Sequence, residues 1–312
     1  MGSSFRSVAV VGAGAVGSFY GAMLARAGLR VVLIGRTQHV EAVRRDGLKL
    51  DMAGRIETIR MDASTEIAAV RGADLVLFCV KSTDTDAVAR ELAPLIAPHA
   101  VVVSLQNGVE NTTIIARHVR QPVVPAVVYV ASAMTGSGQV KHFGRGELTV
   151  GRPDVAARDP DFAAVLDELA ALFERAGVKV TVSGDVMTEL WAKLLLNCAW
   201  NAISALTQTP YGRIAALPAI RELQQSLVRE VIAVARAEGI ALDFDVSIQA
   251  VERIAQTMPA QFSSTAQDMA RRKHSEIDHL NGFIARRGRA LGIPVPLNQA
   301  LHALVKLVEV GY

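Results

Sequence analysis

The first half of the chain alternates short apolar runs with longer stretches in which apolar residues recur at helical spacing. Apolar runs of strand length cover residues 8–11, 30–34, 74–80 and 100–105. Helical patterns lie between them, at 14–27 and 87–95. Strands that alternate with helices are typical of βαβ units and of a parallel sheet with helices on both faces. The pattern therefore predicts a Rossmann-type, doubly wound α/β domain.

The pattern changes after a further predicted strand at residues 123–130. Two short apolar runs, 140–143 and 148–150, flank Gly144-Arg145-Gly146. Glycines between two strand-like runs favour a tight connection, so we expect a hairpin that turns at these three residues. A helix at 162–176 and a last strand at 179–182 then complete the first domain.

From about residue 186 the strand pattern ends and helical periodicity takes over. Helical patterns cover residues 187–206, 220–238, 244–257 and 276–291, and a last one follows Pro296. We therefore expect an N-terminal domain of residues 1–185 and an all-α C-terminal domain of residues 186–312.

Composition and charge exclude several classes of protein. The 312 residues are 51% hydrophobic and 20% charged, an ordinary profile for soluble globular domains. The net charge is +3, and the longest basic cluster, residues 271–274, lies in a helical stretch without interleaved aromatic residues. We therefore expect no nucleic-acid binding. A modest positive field suits an anionic substrate and cofactor.

The expected location is the cytoplasm. No apolar run reaches the roughly 18 residues that a membrane helix needs, and the chain enters its first strand almost at once, without a signal peptide. Cys79 and Cys198 lie in apolar runs and are expected to be buried thiols in a reducing compartment. Neither has metal-ligand spacing around it, so no metal site is expected.

A glycine-rich segment, Gly12-Ala13-Gly14-Ala15-Val16-Gly17, follows the first predicted strand and opens the first helix. Alone this motif is weak, but a strand before it and a helix after it are the context of a dinucleotide-binding turn. The first glycine permits the turn, the second lets the backbone approach the diphosphate, and the third lets helix and strand pack closely. The alternative is a structural glycine turn.

The end of the second predicted strand indicates which dinucleotide binds. NAD-dependent enzymes usually place an acid there for the ribose 2′-hydroxyl, whereas this chain has Gly35-Arg36. A guanidinium matches a 2′-phosphate, so NADPH is favoured. The alternative is an exposed loop arginine. Two more loops, at Lys81 and at Asn107-Gly108, fall at carboxyl ends of strands, where ligands bind in open α/β sheets. Alternatively, Lys81 could be only a charge at a strand end, and Asn107-Gly108 only a turn.

A polar stripe runs along the first helix of the second domain. Lys193, Asn197 and Asn201 are four residues apart, so they share one face and drift by about 40° per step. Their neighbours are apolar nearly all round, so the helix is expected to be largely buried. Buried polar groups need partners or a function. The alternatives are a lysine that extends to solvent and asparagines bonded to backbone.

A second polar constellation begins at Ser263-Ser264 and continues at Ser275-Glu276. Ser264 and Ser275 both precede a polar or acidic residue three positions on, the pattern of a helix N-cap. One unbroken helix would separate Ser264 from Glu276 by about 18 Å. Two caps instead imply a break near residues 273–274, which would let both residues face one cleft.

These elements together resemble the ketopantoate reductase family. The resemblance rests on GAGAVG at 12–17, QNG at 106–108, W-x-K-x-x-x-N-x-x-x-N at 191–201 and S-S-T…S-E-I-D…N-G at 263–282. It spans the chain in order and spacing. The chain departs from the family pattern at Asp84, Tyr211 and Thr265.

The resemblance implies a role for each residue. Lys193 would be the general acid, and Glu276 would lie near the lysine or the ribose. Asn107, Asn197, Asn201 and Ser264 would bind the substrate. The cofactor would be NADPH, held by residues that the resemblance and the loops indicate together: Gly12, Ala13, Gly14, Ala15, Val16, Gly17, Arg36, Lys81, Asn107, Ala131 and Glu276.

The implied reaction is the NADPH-dependent reduction of the 2-keto group of ketopantoate, a small anionic 2-keto acid, to pantoate in pantothenate biosynthesis. A homodimer through the helical domain is also expected. Three alternatives remain open at this point: reduction of a different small 2-keto acid, a β-hydroxyacid dehydrogenase, and a non-catalytic NADPH sensor. The glycine-rich string that usually precedes the lysine of β-hydroxyacid dehydrogenases does not precede Lys193.

Overall fold

The computed structural model describes residues 5–153 and 160–312, and these divide into two compact units. Unit 1 spans Met1–Met187 and unit 2 spans Thr188–Tyr312, a division two residues beyond the expected boundary. In the described part of unit 1 the strands are β1 Ser7–Val11, β2 Arg30–Ile34, β3 Leu48–Met52, β4 Arg55–Ile59, β5 Asp62–Ser64, β6 Leu75–Phe78, β7 Val101–Ser104, β8 Val123–Gly136, β9 Gln139–Gly151 and β10 Val180–Ser183. Its helices are α1 Ala15–Arg26, α2 Thr37–Asp46, α3 Thr85–Leu92, α4 Asn111–Ala116 and α5 Pro160–Arg175.

The sheet of unit 1 has the order β4-β3-β9-β8-β7-β6-β1-β2-β5, and β10 pairs with β9. The six strands from β5 to β8 pair in parallel. If these six strands are renumbered 1 to 6 in chain order, their order across the sheet is 3-2-1-4-5-6, which is the Rossmann arrangement. The order reverses beside β1, and the loops after β1, β2, β6 and β7 leave the same edge of the sheet. The predicted fold class is confirmed.

Apolar side chains cover both faces of this sheet, because neighbouring residues of a strand point to opposite sides. On one face, Val8 and Val10 of β1 pack with residues of α1 and α5. On the other face, Ala9 and Val11 pack with residues of α3 and α4. The continuous apolar runs of the central strands follow from this burial on both sides.

The predicted hairpin turn at Gly144-Arg145-Gly146 is wrong. β8 and β9 do form an antiparallel hairpin, but the turn lies at Ser137-Gly138, and β9 runs through the glycines without a break. All three residues have positive φ, and the register with β8 shifts beside them. Glycine at positive φ occurs in some bulges as well as in turns, and here the glycines accompany a bulge that bends the strand without ending it.

The described residues of unit 2 form helices without strands, as predicted. They are α6 Val186–Thr207, which begins in the last two residues of unit 1, α7 Tyr211–Ala215, α8 Pro218–Ala237, α9 Phe244–Thr257, α10 Ser264–Ala270, α11 Asn281–Leu291 and α12 Pro296–Glu309. The long amphipathic helices bury Trp200, Leu227, Val231 and Ile284. Over the described ranges, no helix combines the length and the apolar character that crossing a membrane requires.

Candidate active site

The glycine loop between β1 and α1 is held tightly by backbone contacts. Gly12 has a φ of +100°, and a Cβ there would lie 2.5 Å from the backbone nitrogen of Val80. A Cβ on Gly17 would lie 2.4 Å from the carbonyl oxygen of Gly12. The first glycine therefore brings the turn against the end of β6, and the third lets α1 pack on the turn. Only glycine fits at either position.

Gly14 differs from the other two glycines. It precedes α1 with a φ of −80°, and a Cβ there would meet no described atom within 4 Å. No side chain caps the helix, whose first intrahelical bond runs from the Ser18 nitrogen to the Gly14 oxygen (2.8 Å). The N–H groups of Ala15, Val16 and Gly17 thus lie in the first turn, before that bond. An open backbone surface at an uncapped helix N-terminus fits a dinucleotide diphosphate.

Arg36 lies beside the glycine loop, at the carboxyl end of β2. The carbonyl oxygen of Ile34 accepts hydrogen bonds from the nitrogens of Gly12 and Ala13, both at 3.0 Å. Arg36 follows two residues later, is exposed, and immediately precedes α2. The structure therefore brings the glycine loop and the candidate 2′-phosphate residue to one edge of the sheet.

The loops after β6 and β7 are joined by a buried polar network. Lys81 and Asn107 are both half-buried. The carbonyl oxygen of Asn107 accepts hydrogen bonds from Ser82 Oγ (2.9 Å) and Asn111 Nδ2 (2.7 Å). Gln106 Nε2 donates to the Val80 oxygen (3.0 Å), so the network reaches the backbone that Gly12 contacts. Buried bonds of this kind hold Lys81 and Asn107 in place.

The sequence analysis missed the supporting members of this network: Ser82, Thr85, Ser104, Gln106 and Asn111. Each is nearly or completely buried. The sequence signal for these residues was that polar side chains occur within or soon after β6 and β7, two strands that are otherwise apolar. Ala131, the remaining unit 1 residue of the predicted set, lies elsewhere: it is half-buried in β8, opposite Gly144, beyond the part of β8 that pairs with β7.

In unit 2 the predicted polar stripe lies on α6, and the helix is largely buried as expected. Lys193 and Asn197 are half-buried, and Asn201 is 3% exposed. Trp200, beside Asn201, donates from Nε1 to the Val251 oxygen (3.2 Å). Spaced four residues apart on one regular helix, the three polar side chains share one face and drift gradually around it.

Ser264 is brought to Asn201, whose Nδ2 donates to Ser264 Oγ at 3.5 Å. The prediction that Ser264 is the helix cap is wrong, because Ser263 caps α10 instead. Ser263 Oγ accepts from the Ala266 nitrogen (3.0 Å) and donates to the Asn201 oxygen (3.1 Å). Ser263 is completely buried by these bonds, whereas Ser264 is exposed. The Ser264 hydroxyl therefore does not accept the capping hydrogen bond of α10.

The predicted helix break between Ser264 and Glu276 is confirmed, since α10 ends at Ala270 and a 3-10 turn begins at Ile277. Glu276 is half-buried just before that turn. Its neighbour Ser275 donates from Oγ to Glu309 Oε1 (2.6 Å) and accepts from the Ile277 nitrogen (3.3 Å). The loop that carries Glu276 is therefore anchored to α12.

A second anchor lies on the other side of Glu276. Asp278 accepts hydrogen bonds from His302 Nε2 (2.6 Å) and Lys306 Nζ (2.9 Å) on α12. The hydrogen bond from His302, opposed by burial and reinforced by Lys306, holds the pKa of Asp278 well below its ordinary value. Asp278 therefore remains ionised through the neutral range, and the anchor persists there.

Two of the departures from the family pattern lie in the packed interior of unit 2. Tyr211 packs on Trp200 with ring centroids 4.9 Å apart, and burial raises its pKa to about 12. Thr265 is 2% exposed in the first turn of α10. Asp84, in unit 1, is exposed at the end of a 3-10 turn.

Two family models match this chain. The model described as Ketopantoate reductase PanE/ApbA matches residues 8–154, and the one described as Ketopantoate reductase PanE/ApbA C terminal matches residues 185–309. The first falls in unit 1, and the second covers nearly all of unit 2.

Whole-chain relatives agree with these matches. The 2-dehydropantoate 2-reductase of Halobacterium salinarum is 34% identical over 97% of this chain and 98% of its own length. A crystal structure of a PanE/ApbA family ketopantoate reductase from Ralstonia eutropha JMP134 is 52% identical in sequence and has a TM-score of 0.90. The match covers 98% of this chain and 99% of that one. The ternary structure of D-mandelate dehydrogenase with NADH and anilino(oxo)acetate has a TM-score of 0.91 at 25% identity, with the same coverage.

Proposed function

The chain belongs to the ketopantoate reductase family of NADP-dependent oxidoreductases acting on CH–OH groups, and on that basis we propose that it reduces the 2-keto group of ketopantoate to pantoate with NADPH. The observation that carries the proposal is the match of both family models, which places the family's two halves on the two units described above.

NADPH would be held by unit 1. The open surface at Gly14 and the first-turn N–H groups of α1 suit the diphosphate, and Arg36 suits the 2′-phosphate. Lys81 and Asn107, held by the buried network, would contact the nicotinamide end. When bound, the nicotinamide supplies the hydride.

Lys193 would supply the proton. Hydride arriving at the keto carbon leaves negative charge on the keto oxygen, and a cationic donor at that oxygen stabilises the charge and protonates it. Keto acid, hydride and proton together make the 2-hydroxy acid, so the reaction balances without a metal or a further reactant. Lys193 is half-buried on α6, a rigid element, which suits a positioned proton donor.

Asn197, Asn201 and Ser264 would orient the substrate. Because Asn201 Nδ2 donates to Ser264 Oγ, the hydroxyl hydrogen of Ser264 remains to donate to the substrate carboxylate. Glu276, on the loop anchored by Ser275 and Asp278, would lie near Lys193 or the ribose and influence the charge of the lysine.

The test is NADPH oxidation, followed at its absorbance band, with ketopantoate and a panel of other 2-keto acids. Strong preference for ketopantoate supports the proposal. In Lys193→Ala, NADPH affinity should be retained while kcat falls by about 10²–10⁴-fold. Lys273→Ala, which removes an exposed lysine of the same unit, is the control. Unchanged turnover in Lys193→Ala would contradict the proton-donor assignment.

A second candidate is reduction of a different 2-keto acid. The likeness to D-mandelate dehydrogenase favours it, since that structure holds an aryl-substituted 2-oxo acid derivative in the same fold. Turnover in the panel with an aryl keto acid and not with ketopantoate would select this candidate. NADPH binding without any turnover would instead select the non-catalytic sensor.

A homodimer through the helical unit is also proposed. The support is an apolar stripe on α12: Leu304, Leu307 and Val308 are 48%, 68% and 44% exposed. Contiguous exposed apolar side chains are typical of protein interfaces. Light scattering should report a mass of two chains for the native protein and of one chain for Leu307→Glu.

A further inference from the structure

His39 is a buried histidine with a defined tautomer, on the first turn of α2. It is 9% exposed, and its Nδ1 accepts a hydrogen bond from the Gly138 nitrogen at 3.0 Å. A backbone N–H can only donate, so Nδ1 carries no hydrogen and the neutral ring is protonated at Nε2. Nε2 therefore donates to Ser18 Oγ, 3.3 Å away.

Ser18 extends this connection to the glycine loop. It is completely buried on α1, and its hydroxyl donates to the Ala13 oxygen at 3.3 Å. The Ala13 residue is thus held at three points. The Ala13 nitrogen donates to the Ile34 oxygen, and the Ala13 oxygen accepts from Ser18 Oγ. The Ala13 methyl group packs against Gly35, where an added Cβ would lie 2.8 Å from it.

The same histidine is bonded to the residue proposed to bind the 2′-phosphate. The His39 nitrogen donates to the Arg36 oxygen (3.1 Å) in the first turn of α2. The His39–Ser18 pair therefore connects the start of α2 to the glycine loop through side chains, in addition to the backbone bonds to Ile34. The residue motifs that indicated cofactor binding did not include either side chain.

We propose that His39 and Ser18 are positioning residues that set the spacing between the glycine loop and Arg36, and thereby strengthen recognition of the 2′-phosphate of NADPH over NADH. This rests on the proposed function, because it assumes that the diphosphate binds at the loop and the 2′-phosphate at Arg36. A ligand that bridges two contacts binds both only if their separation matches its own, and supporting hydrogen bonds keep such sites within about 0.5 Å of the productive geometry.

The charge state of His39 bears on this spacing. Burial lowers the pKa of His39, so the neutral ring prevails at pH 7. Protonation would put a hydrogen on Nδ1 against the Gly138 N–H and break that hydrogen bond, while Nε2 could still donate to Ser18. The Gly138–His39 bond that fixes the ring is therefore intact above the lowered pKa and is lost as the pH falls through it. The charged and titratable side chains on α1, on α2 with its preceding residue, on β3 and on β9 are, besides His39, Tyr20, Arg26, Arg36, Glu41, Arg44, Arg45, Asp46, Lys49, Asp51, Lys141, His142, Arg145 and Glu147.

The first experiment measures equilibrium Kd values for NADPH and NADH in Ser18→Ala. Loss of the two hydrogen bonds of the Ser18 hydroxyl should raise the NADPH Kd by about 3- to 10-fold and the NADH Kd by about 2-fold or less. Ser7→Ala is the control, because it removes the side-chain hydrogen bonds of a half-buried serine with Asp74, at the opposite end of β1 from the glycine loop. Equal changes for both cofactors, or no change for either, would overturn the proposal. Ser18→Cys, which keeps the volume, serves if Ser18→Ala fails to fold.

The second experiment uses His39→Gln, whose amide keeps a donor toward Ser18 and does not titrate. Near pH 8 its NADPH affinity should lie within about 3-fold of the wild type. As the pH falls from 8 through the lowered pKa of His39, located in the wild type by NMR of the ring protons, the wild type should lose more NADPH affinity than His39→Gln. The 2′-phosphate titrates near pH 6, but it does so equally for both proteins. Superimposable pH profiles would overturn the assignment. A wild type that binds no NADPH would instead overturn the proposed function itself, which Ser18→Ala alone cannot do.

Discussion

Substitution of Gly14 by alanine separates cofactor binding from folding, because Gly14 and Gly12 have opposite surroundings. At Gly14 an added Cβ meets no described atom within 4 Å, and the φ of −80° is one that alanine adopts. At Gly12 an added Cβ would lie 2.5 Å from the Val80 nitrogen with a φ of +100°. One substitution therefore fills open space, and the other clashes with backbone.

The magnitudes follow from these contacts. Gly14→Ala should leave the free energy of unfolding within about 1 kcal/mol of the wild type, since alanine restricts the unfolded chain but is less favourable than glycine at a helix N-cap. If the diphosphate contacts the Gly14 backbone, the methyl group overpacks that contact at a cost of about 1–3 kcal/mol. That cost corresponds to an increase of about 5- to 150-fold in the NADPH Kd. Gly12→Ala combines about 1–3 kcal/mol of backbone strain with a similar overpacking cost, so it should lower the stability of the protein itself.

The assay pairs a fluorescence titration with NADPH and thermal unfolding by circular dichroism for each variant. Gly14→Ala should unfold near the wild-type temperature and bind NADPH weakly. Gly12→Ala should unfold at a clearly lower temperature or fail to accumulate. A Gly14→Ala protein that binds NADPH as the wild type does would refute the close approach of the diphosphate to this residue, whatever Gly12→Ala does.

Three further predictions test other parts of the molecule. Arg36→Asp should raise the NADPH Kd by about 10- to 150-fold, which corresponds to the free energy of a lost charge-assisted hydrogen bond, and leave the NADH Kd nearly unchanged. Equal increases in both Kd values in parallel titrations would count against the 2′-phosphate contact. Ser264→Ala should raise the KM for the keto acid with the NADPH Kd unaltered, because Ser264 is exposed and does not cap α10; steady-state kinetics would reject this if only kcat changed. Asp278→Asn should lower the unfolding temperature by about 2–4 °C at pH 7. Because the pKa of Asp278 is depressed in the folded protein, its contribution is present above its unfolded pKa and lost as pH falls through the folded one; a difference from the wild type that persisted unchanged at pH 2–3 would contradict the anchor.

Much of the central fold was predictable from local pattern. β2 and α9 have the predicted bounds, and β1, β6 and β7 differ by a residue or two, because strands buried on both faces are apolar throughout. β8 starts as predicted but continues six residues beyond its predicted end, to Gly136. Residues 37–64 escaped prediction. β4 is mostly exposed, and β3 and β4 form an antiparallel pair at the edge of the sheet, so neither carries a long apolar run. Helix α2, with His39 and Val40 buried among polar residues, was missed for the same reason.

The sequence by itself determined the features that depend on residues close along the chain. The glycine loop between a strand and a helix, the arginine after the second strand and the four-residue spacing on α6 all follow from local geometry, as does the change from a strand pattern to helices near residue 186. The family resemblance that these motifs carry also lies in their order along the chain.

Only the tertiary structure decided the features that depend on partners distant in sequence. Whether Ser263 or Ser264 caps α10 is settled by the Asn201 carbonyl on another helix, 62 residues away. Whether Gly144 and Gly146 make a turn or a bulge is settled by pairing with β8. The His39–Ser18 pair, with its contact to Gly138 99 residues away, leaves no periodic signal. A polar side chain becomes informative only once burial shows which hydrogen-bond partners it must have, and burial is a property of the assembled fold.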